Sequence, residues 1–185
     1  RKRALNALSS QHVYGVDNTA VLYTNDVGKD GTLDAGDDDK AYVYLTLRRG
    51  GEALYALDVS NPDSPSFMWM IDSTSSGFSE LGQTWSRPVV TVIPGYTDDS
   101  DPPKPKPVLI FGAGYDPNKD ATGVATPDSQ GRGIFIVDAA TGTLIWSLTP
   151  AANSAKNKNE SGLLHSVAAG VTPLDSNGDG LTDRI

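Results

Sequence analysis

Tyr55-Ala-Leu57-Asp58 and Phe135-Ile-Val137-Asp138 carry one pattern 80 residues apart, and Gly82 and Ser86 meet Gly162 and Ser166 at the same offset. A chain that repeats with such a period is built from copies of one supersecondary unit, each covering the apolar face of its neighbour. Trp69 and Trp146 also correspond, 77 residues apart, so insertions lie on both sides of the tryptophan and cancel. Nineteen glycines and twelve prolines punctuate short apolar runs, which indicates an all-β chain of many short strands. The expected strands are 41–47, 53–59, 67–71, 88–93, 108–111, 133–137, 144–148 and 167–172. Helical periodicity is confined to Arg3–Leu8, where a short helix is expected.

Each unit reads as strand, Asp turn, strand with Trp, long loop, strand, connector, strand. Radial repetition of four-stranded sheets is the plan of a β-propeller. We therefore expect a β-propeller fragment: 1–52 as the end of one blade, 53–132 as a blade, and 133–185 as an incomplete blade. A β-sandwich is the structural alternative. The chain starts at Arg1 and ends at Ile185 within an apparent strand, which reads as a piece of a longer propeller.

The connector before the strands carries the most specific chemistry. Asp175-Ser-Asn177-Gly-Asp179-Gly180-Leu181-Thr-Asp183 places oxygen donors at alternate positions with a glycine at the sixth. Asp175, Asn177, Asp179, the carbonyl of Leu181 and Asp183 fill positions 1, 3, 5, 7 and 9 of a calcium loop. Calcium takes six to eight hard oxygens at about 2.3–2.6 Å, and it makes such a crowd of carboxylates tolerable. The position-12 donor would lie beyond Ile185. With the 175–183 stretch as the second comb along the chain, the first, Asp26, Asp30, Thr32, Asp34 and Asp37, fills positions 1, 5, 7, 9 and 12 but has Gly28 at position 3. It is expected to be either a second calcium site or an acidic hairpin running into Asp38 and Asp39. The middle connector, Pro94 to Pro107, has lost the spacing and reads as a polyproline loop.

Composition narrows the partners. A net charge of −8 and a pI near 4.6 argue against nucleic acid and anionic membrane, which need clustered Lys and Arg. The Arg1-Lys2-Arg3 run is too short to alter that. Without cysteine there are no disulfides, thiolate metal sites or thiol nucleophiles. No apolar run approaches the ~20 residues of a membrane helix, so direct membrane insertion is not expected. His12 and His165 lack partners at metal or triad spacing, and His165, in register with Trp85, is expected to pack rather than catalyse. Gly77-Phe-Ser79-Glu-Leu81 lacks the second glycine of a nucleophile elbow, and Gly112-Ala-Gly114 is no dinucleotide fingerprint.

Asp138-Ala-Ala-Thr141-Gly142-Thr-Leu144-Ile-Trp146 has a structural rationale: Asp caps the turn and Trp plugs the gap between sheets. It also resembles the repeats of quinoprotein dehydrogenase propellers, which surround pyrroloquinoline quinone. No quinone-contacting set is identifiable here, so a dehydrogenase fragment is the rival reading, and a purely structural propeller in an outer-membrane assembly is a third.

Taken together, Tyr14-Gly-Val-Asp17, the first comb, Leu47 to Pro62, Leu81 to Pro88, Ile110 to Asp116, Asp138 to Gly142 and Leu174 to Asp183 resemble the C-terminal propeller region of the PilY family. These are the tip-associated biogenesis factors and adhesins of bacterial type IV pili. The resemblance implies a non-enzymatic, exported protein of the periplasm, outer membrane and pilus tip. Its partners would be pilins, minor pilins, and host or abiotic surfaces. Calcium occupancy would regulate pilus extension, retraction and adhesion, with the family's loop mapping onto Asp175, Asn177, Asp179, Leu181 and Asp183. Two departures stand out: Gly112-Ala-Gly114-Tyr115 replaces the family's Gly-Asn-Gly-Tyr, and the sequence stops before the blade strand expected after the loop; with no Arg-Gly-Asp tripeptide, integrin-type attachment has no support here.

Overall fold

The computed structural model describes residues 14–121 and 126–185. The helix expected at Arg3–Leu8, and His12, lie outside the described residues. The rest is two antiparallel meanders. The first sheet has the order β1-β2-β3-β4: Val21–Asn25, Lys40–Thr46, Ala53–Asp58 and Ser66–Asp72. The second runs β5-β6-β7-β8-β9: Val89–Thr97, Pro105–Gly112, Ile134–Asp138, Leu144–Thr149 and Asn157–Asn159, the last added in parallel.

Both sheets present alternate residues to one shared core, as the two-residue period of a strand requires. Tyr44, Leu54, Ala56, Trp69 and Ile71 of the first sheet meet Leu109, Phe111, Phe135 and Val137 of the second, with Phe78 and Leu81 of the intervening segment between them. Phe135 stacks against both Phe78 and Phe111, with ring centroids 5.0 and 5.7 Å away. Trp69 crosses the gap and donates its indole N–H to the Ala139 carbonyl at 3.2 Å, where the Tyr44 hydroxyl also donates, at 3.0 Å. Asp138 caps the turn as its sequence implied, accepting the N–H groups of Ala140 and Thr141 at 2.9 and 2.7 Å.

The repeat cuts these sheets in a different phase. The 53–132 unit joins the last two strands of the first sheet to the first two of the second, because β3 and β4 pair with the strands before them. Three local expectations fail. The Pro94–Pro107 segment is a β-hairpin rather than a polyproline loop. Strand β5 continues through Pro94 to Thr97, Thr97 pairs with Pro105, and Asp98 closes the tip by accepting the Lys104 N–H at 2.8 Å. Pro94 is tolerated there because β5 is the sheet edge and the register shifts between Val92 and Thr97, and Pro105 and Pro107 lie in the part of β6 that precedes its pairing with β7 at Val108. Residues 167–172 form no strand; the N–H of Val167 and its carbonyl are spent on Gly131 and Gly114. His165 is exposed rather than packed.

Candidate functional site

The antiparallel meander puts the 26–39 loop at the β1–β2 end of the first sheet, and the second comb is held between Leu174 and Arg184, which pair as an isolated bridge. Both loops fold the same way. Positions 4 and 6 take left-handed backbone in each: Lys29 and Gly31 at φ 55° and 84°, Gly178 and Gly180 at 80° and 85°. The position-6 N–H donates back to the position-1 carboxylate, Gly31 to Asp26 at 2.8 Å and Gly180 to Asp175 at 2.7 Å. The position-7 N–H donates to the position-5 carboxylate, Thr32 to Asp30 and Leu181 to Asp179, both at 2.8 Å. Glycine at the sixth position is what permits that turn.

The residues expected as donors in the second comb lie along one exposed loop and are tied by hydrogen bonds within it. Asp175 also accepts from Gly178 and Asn177, and the N–H of Gly180 and then Gly178 hold its carboxyl below the usual range. Asn177 accepts the Asp179 N–H through Oδ1 and donates through Nδ2 to Asp179 Oδ2 at 3.1 Å. Asp183 closes the loop by accepting both the N–H and the hydroxyl of Ser176 at 2.9 Å. Beside it, Thr182 is buried and tied to β5: its N–H reaches the Val92 carbonyl at 2.8 Å and its hydroxyl meets that of Thr91 at 2.7 Å. The loop is thereby fastened to the second sheet.

In the first comb, Asp26, Asp30 and Thr32 follow the expected pattern, whereas Asp34 caps the short 3-10 turn Ala35–Asp37 by accepting the Gly36 N–H at 2.8 Å. Closure falls to Asp39, which sequence reasoning passed over as part of an acidic run. It is buried and accepts Val27 N–H at 2.7 Å and Asp34 N–H at 3.0 Å. Those two N–H groups hold its carboxyl below the ordinary value. Val27 and Ser176 are both position 2, so Asp39 is the counterpart of Asp183 with a longer return. Its place immediately before a strand was the available signal.

As a donor set, both loops fit a hard cation: three carboxylates, an amide oxygen and a carbonyl in the second, all on oxygen. Among the described residues no three His, Cys, Asp or Glu side chains are gathered into a preassembled metal cluster. The carboxylates are held by peptide N–H groups, each of which leaves oxygen lone pairs free.

No protein-family model matches the chain. It is 28% identical over 174 residues to the type IV pilus biogenesis factor PilY1 of Pseudomonas aeruginosa (strain UCBPP-PA14), covering 93% of this chain and 12% of that protein. It is 30% identical over 162 residues to the PilY1 homolog of Xylella fastidiosa (strain Temecula1 / ATCC 700964), covering 84% and 11%. The chain thus spans about an eighth of the length of these relatives. Among solved structures, the Pseudomonas aeruginosa PilY1 C-terminal domain shares the fold with a TM-score of 0.56 at 22% identity, over 91% of this chain and 27% of that one. No helix among the described residues is long and apolar enough to cross a membrane.

Proposed function

This chain is a relative of the C-terminal region of PilY proteins, and from that premise we propose that it is a calcium-binding propeller segment of a type IV pilus biogenesis and adhesion factor. The observation that carries the calcium reading is the shared geometry of two loops 149 residues apart, with matching left-handed positions and matching N–H-to-carboxylate bonds. Asp175, Asn177, Asp179, the Leu181 carbonyl and Asp183 would hold the ion. The first loop would use Asp26, Asp30 and Thr32 with Asp39 as the closing carboxylate, in place of Asp34 and Asp37.

Bound there, calcium would supply the positive charge that offsets the repulsion among the loop carboxylates. The chain does the rest. Asp183 fixes Ser176, Thr182 fixes β5, and residues 182–185 border an apolar hollow of about 230 Å³ lined by Ile93, Ile110, Ile136 and Trp146. Trp146 is the repeat partner of Trp69, which docks on the next sheet, so a further blade would seat over this hollow. Ordering of the loop would set how firmly that blade sits, and through it pilus extension, retraction and surface attachment in concert with pilins and minor pilins. Such a protein is exported to the pilus tip and works by binding rather than catalysis.

Millimolar calcium is expected to raise the melting temperature of the chain, and Asp179→Ala to remove that increment, each melt being compared with the same variant's own melt in chelator because Asp179 also accepts from Leu181 and Asn177. A melting curve that ignores calcium would sink the metal reading. In the full-length protein, the same substitution is expected to make pilus-driven motility insensitive to calcium.

A further inference from the structure

At the end of the first sheet opposite the acidic loop, the β2–β3 turn carries Arg48 and Arg49 beside Trp85. Acidic residues outnumber basic ones by 23 to 15 in this protein, yet neither guanidinium has a carboxylate partner among the described residues; ion pairs form at Lys106, Lys119 and Arg132 instead. Three nearby acids are engaged elsewhere, and Asp17, exposed between Tyr14 and Asn18, forms no ion pair with either arginine. Glu52 accepts from Gln130 at 2.8 Å and Ser73 at 3.1 Å, Asp120 accepts the Tyr115 hydroxyl at 2.8 Å, and Glu80 holds Arg132.

Both arginines lie against the same indole. The Arg48 guanidinium is 4.4 Å and that of Arg49 5.6 Å from the Trp85 ring centroid, and Arg49 also lies 5.8 Å from Tyr14. Trp85 is fixed in turn: its N–H donates to Gln83 at 3.1 Å, Tyr115 packs on it at 5.6 Å, and its carbonyl accepts from Asn18. The turn is clamped by buried Thr84, whose Oγ1 accepts the Leu47 N–H and whose carbonyl accepts that of Arg48. Arg48 is kept at φ 49°, a left-handed conformation that costs a non-glycine residue strain and that the surroundings must hold in place. Gly50 sits so near Gly15 that no side chain would fit. A guanidinium stacked on an indole face keeps its in-plane N–H donors available, the arrangement that suits a two-oxygen anion.

We propose that Arg48 and Arg49, preoriented on Trp85, form a carboxylate-binding site that receives an acidic peptide segment of a protein partner. The net charge of −8 disfavours polyanions such as nucleic acid at this site, whereas one or two carboxylates on a short segment match the two forks. The site is independent of the calcium loops and stands or falls without them.

The test is titration of the chain, followed by the Trp85 indole N–H resonance identified with Trp85→Phe, using a blocked peptide carrying two glutamates, its glutamine counterpart, and inorganic phosphate. The glutamate peptide is expected to shift the resonance saturably. Affinity should fall about tenfold or more for each of Arg49→Gln and Arg48→Gln, the size of a lost charge-assisted bond. Arg49 is exposed, so its variant reports on binding even if Arg48→Gln disturbs the turn. Equal response to the glutamine peptide, or full affinity in Arg49→Gln, overturns the proposal; phosphate binding as tightly as the glutamate peptide overturns the carboxylate class.

Discussion

Gly142 has φ 70°, and a methyl group on its Cα would stand 2.8 Å from the Trp69 indole. Gly178 has a similar φ of 80° but open space around it. The pair separates two costs. Gly178→Ala should lose about 1 kcal/mol of left-handed strain, whereas Gly142→Ala should lose roughly 1–3 kcal/mol more from overpacking against the ring, both read from urea unfolding midpoints. The kind of contact was legible but not its partner: the motif set Trp146 beside the Asp138 and Thr-Gly turn as the plug between sheets, whereas the ring that packs on Gly142 is that of Trp69, from the preceding sheet. Asp39 was only faintly marked, by its place just before β2, because its burial depends on N–H groups of Asp34 and Val27, supplied by loop curvature and not by composition.

At the scale of elements, that carboxylate makes the 26–39 loop one cooperative unit. Asp39→Ala would leave the N–H groups of Asp34 and Val27 at the loop base without their acceptor and so loosen the loop. Amide exchange at Val27 and Asp34 should accelerate far more than in β2 and β3. Unchanged protection there would mean that the 3-10 turn alone shapes the loop. Strands β2, β3, β4, β7 and β8 were readable because β-branched and aromatic residues alternate between turn residues. Strands β1 and β9 were not: Val21–Asn25 borders an acidic run, and Asn157–Asn159 contains no apolar residue at all. Proline content hid the β5–β6 hairpin: Pro94 sits on an edge strand at a register shift, and Pro105 and Pro107 precede the stretch of β6 that pairs with β7, so the missing N–H groups are not needed.

Over the whole molecule, stability rests partly on buried carboxylates. Asp116, Asp128 and Asp138 join Asp39 beneath the surface. Burial pushes each of these three upward, but hydrogen bonds outweigh it. Asn118 and Ser129 serve Asp116, Lys119 and Ser166 serve Asp128, and Lys106 and Tyr96 serve Asp138, so all three end below the ordinary carboxylate range. A carboxylate with a depressed folded value stabilises the fold above its unfolded pKa of about 3.9, and that contribution disappears as pH falls through the folded value. Urea midpoints should therefore hold steady from neutrality to about pH 5 and drop steeply below about pH 4. A midpoint that rises on acidification would contradict this ion-pair account. The repeat pointed to an all-β chain of repeated sheets at this scale but not to where one sheet ends or to the fifth strand of the second, because a periodic pattern does not say where hydrogen bonding between neighbouring strands breaks off. Strand β9 matters in one further way. It lies along β8, with Asn157 accepting from Ser147 and Thr149 and Asn159 donating to Pro150 and Ala151, so the outer rim of the second sheet is occupied. In the first sheet, β4 is the last strand in the order, with Phe67 and Met70 62% and 43% exposed. Misassembly of this protein should start there, as strand-on-strand growth from β4, and a lysine in place of Phe67 should slow it.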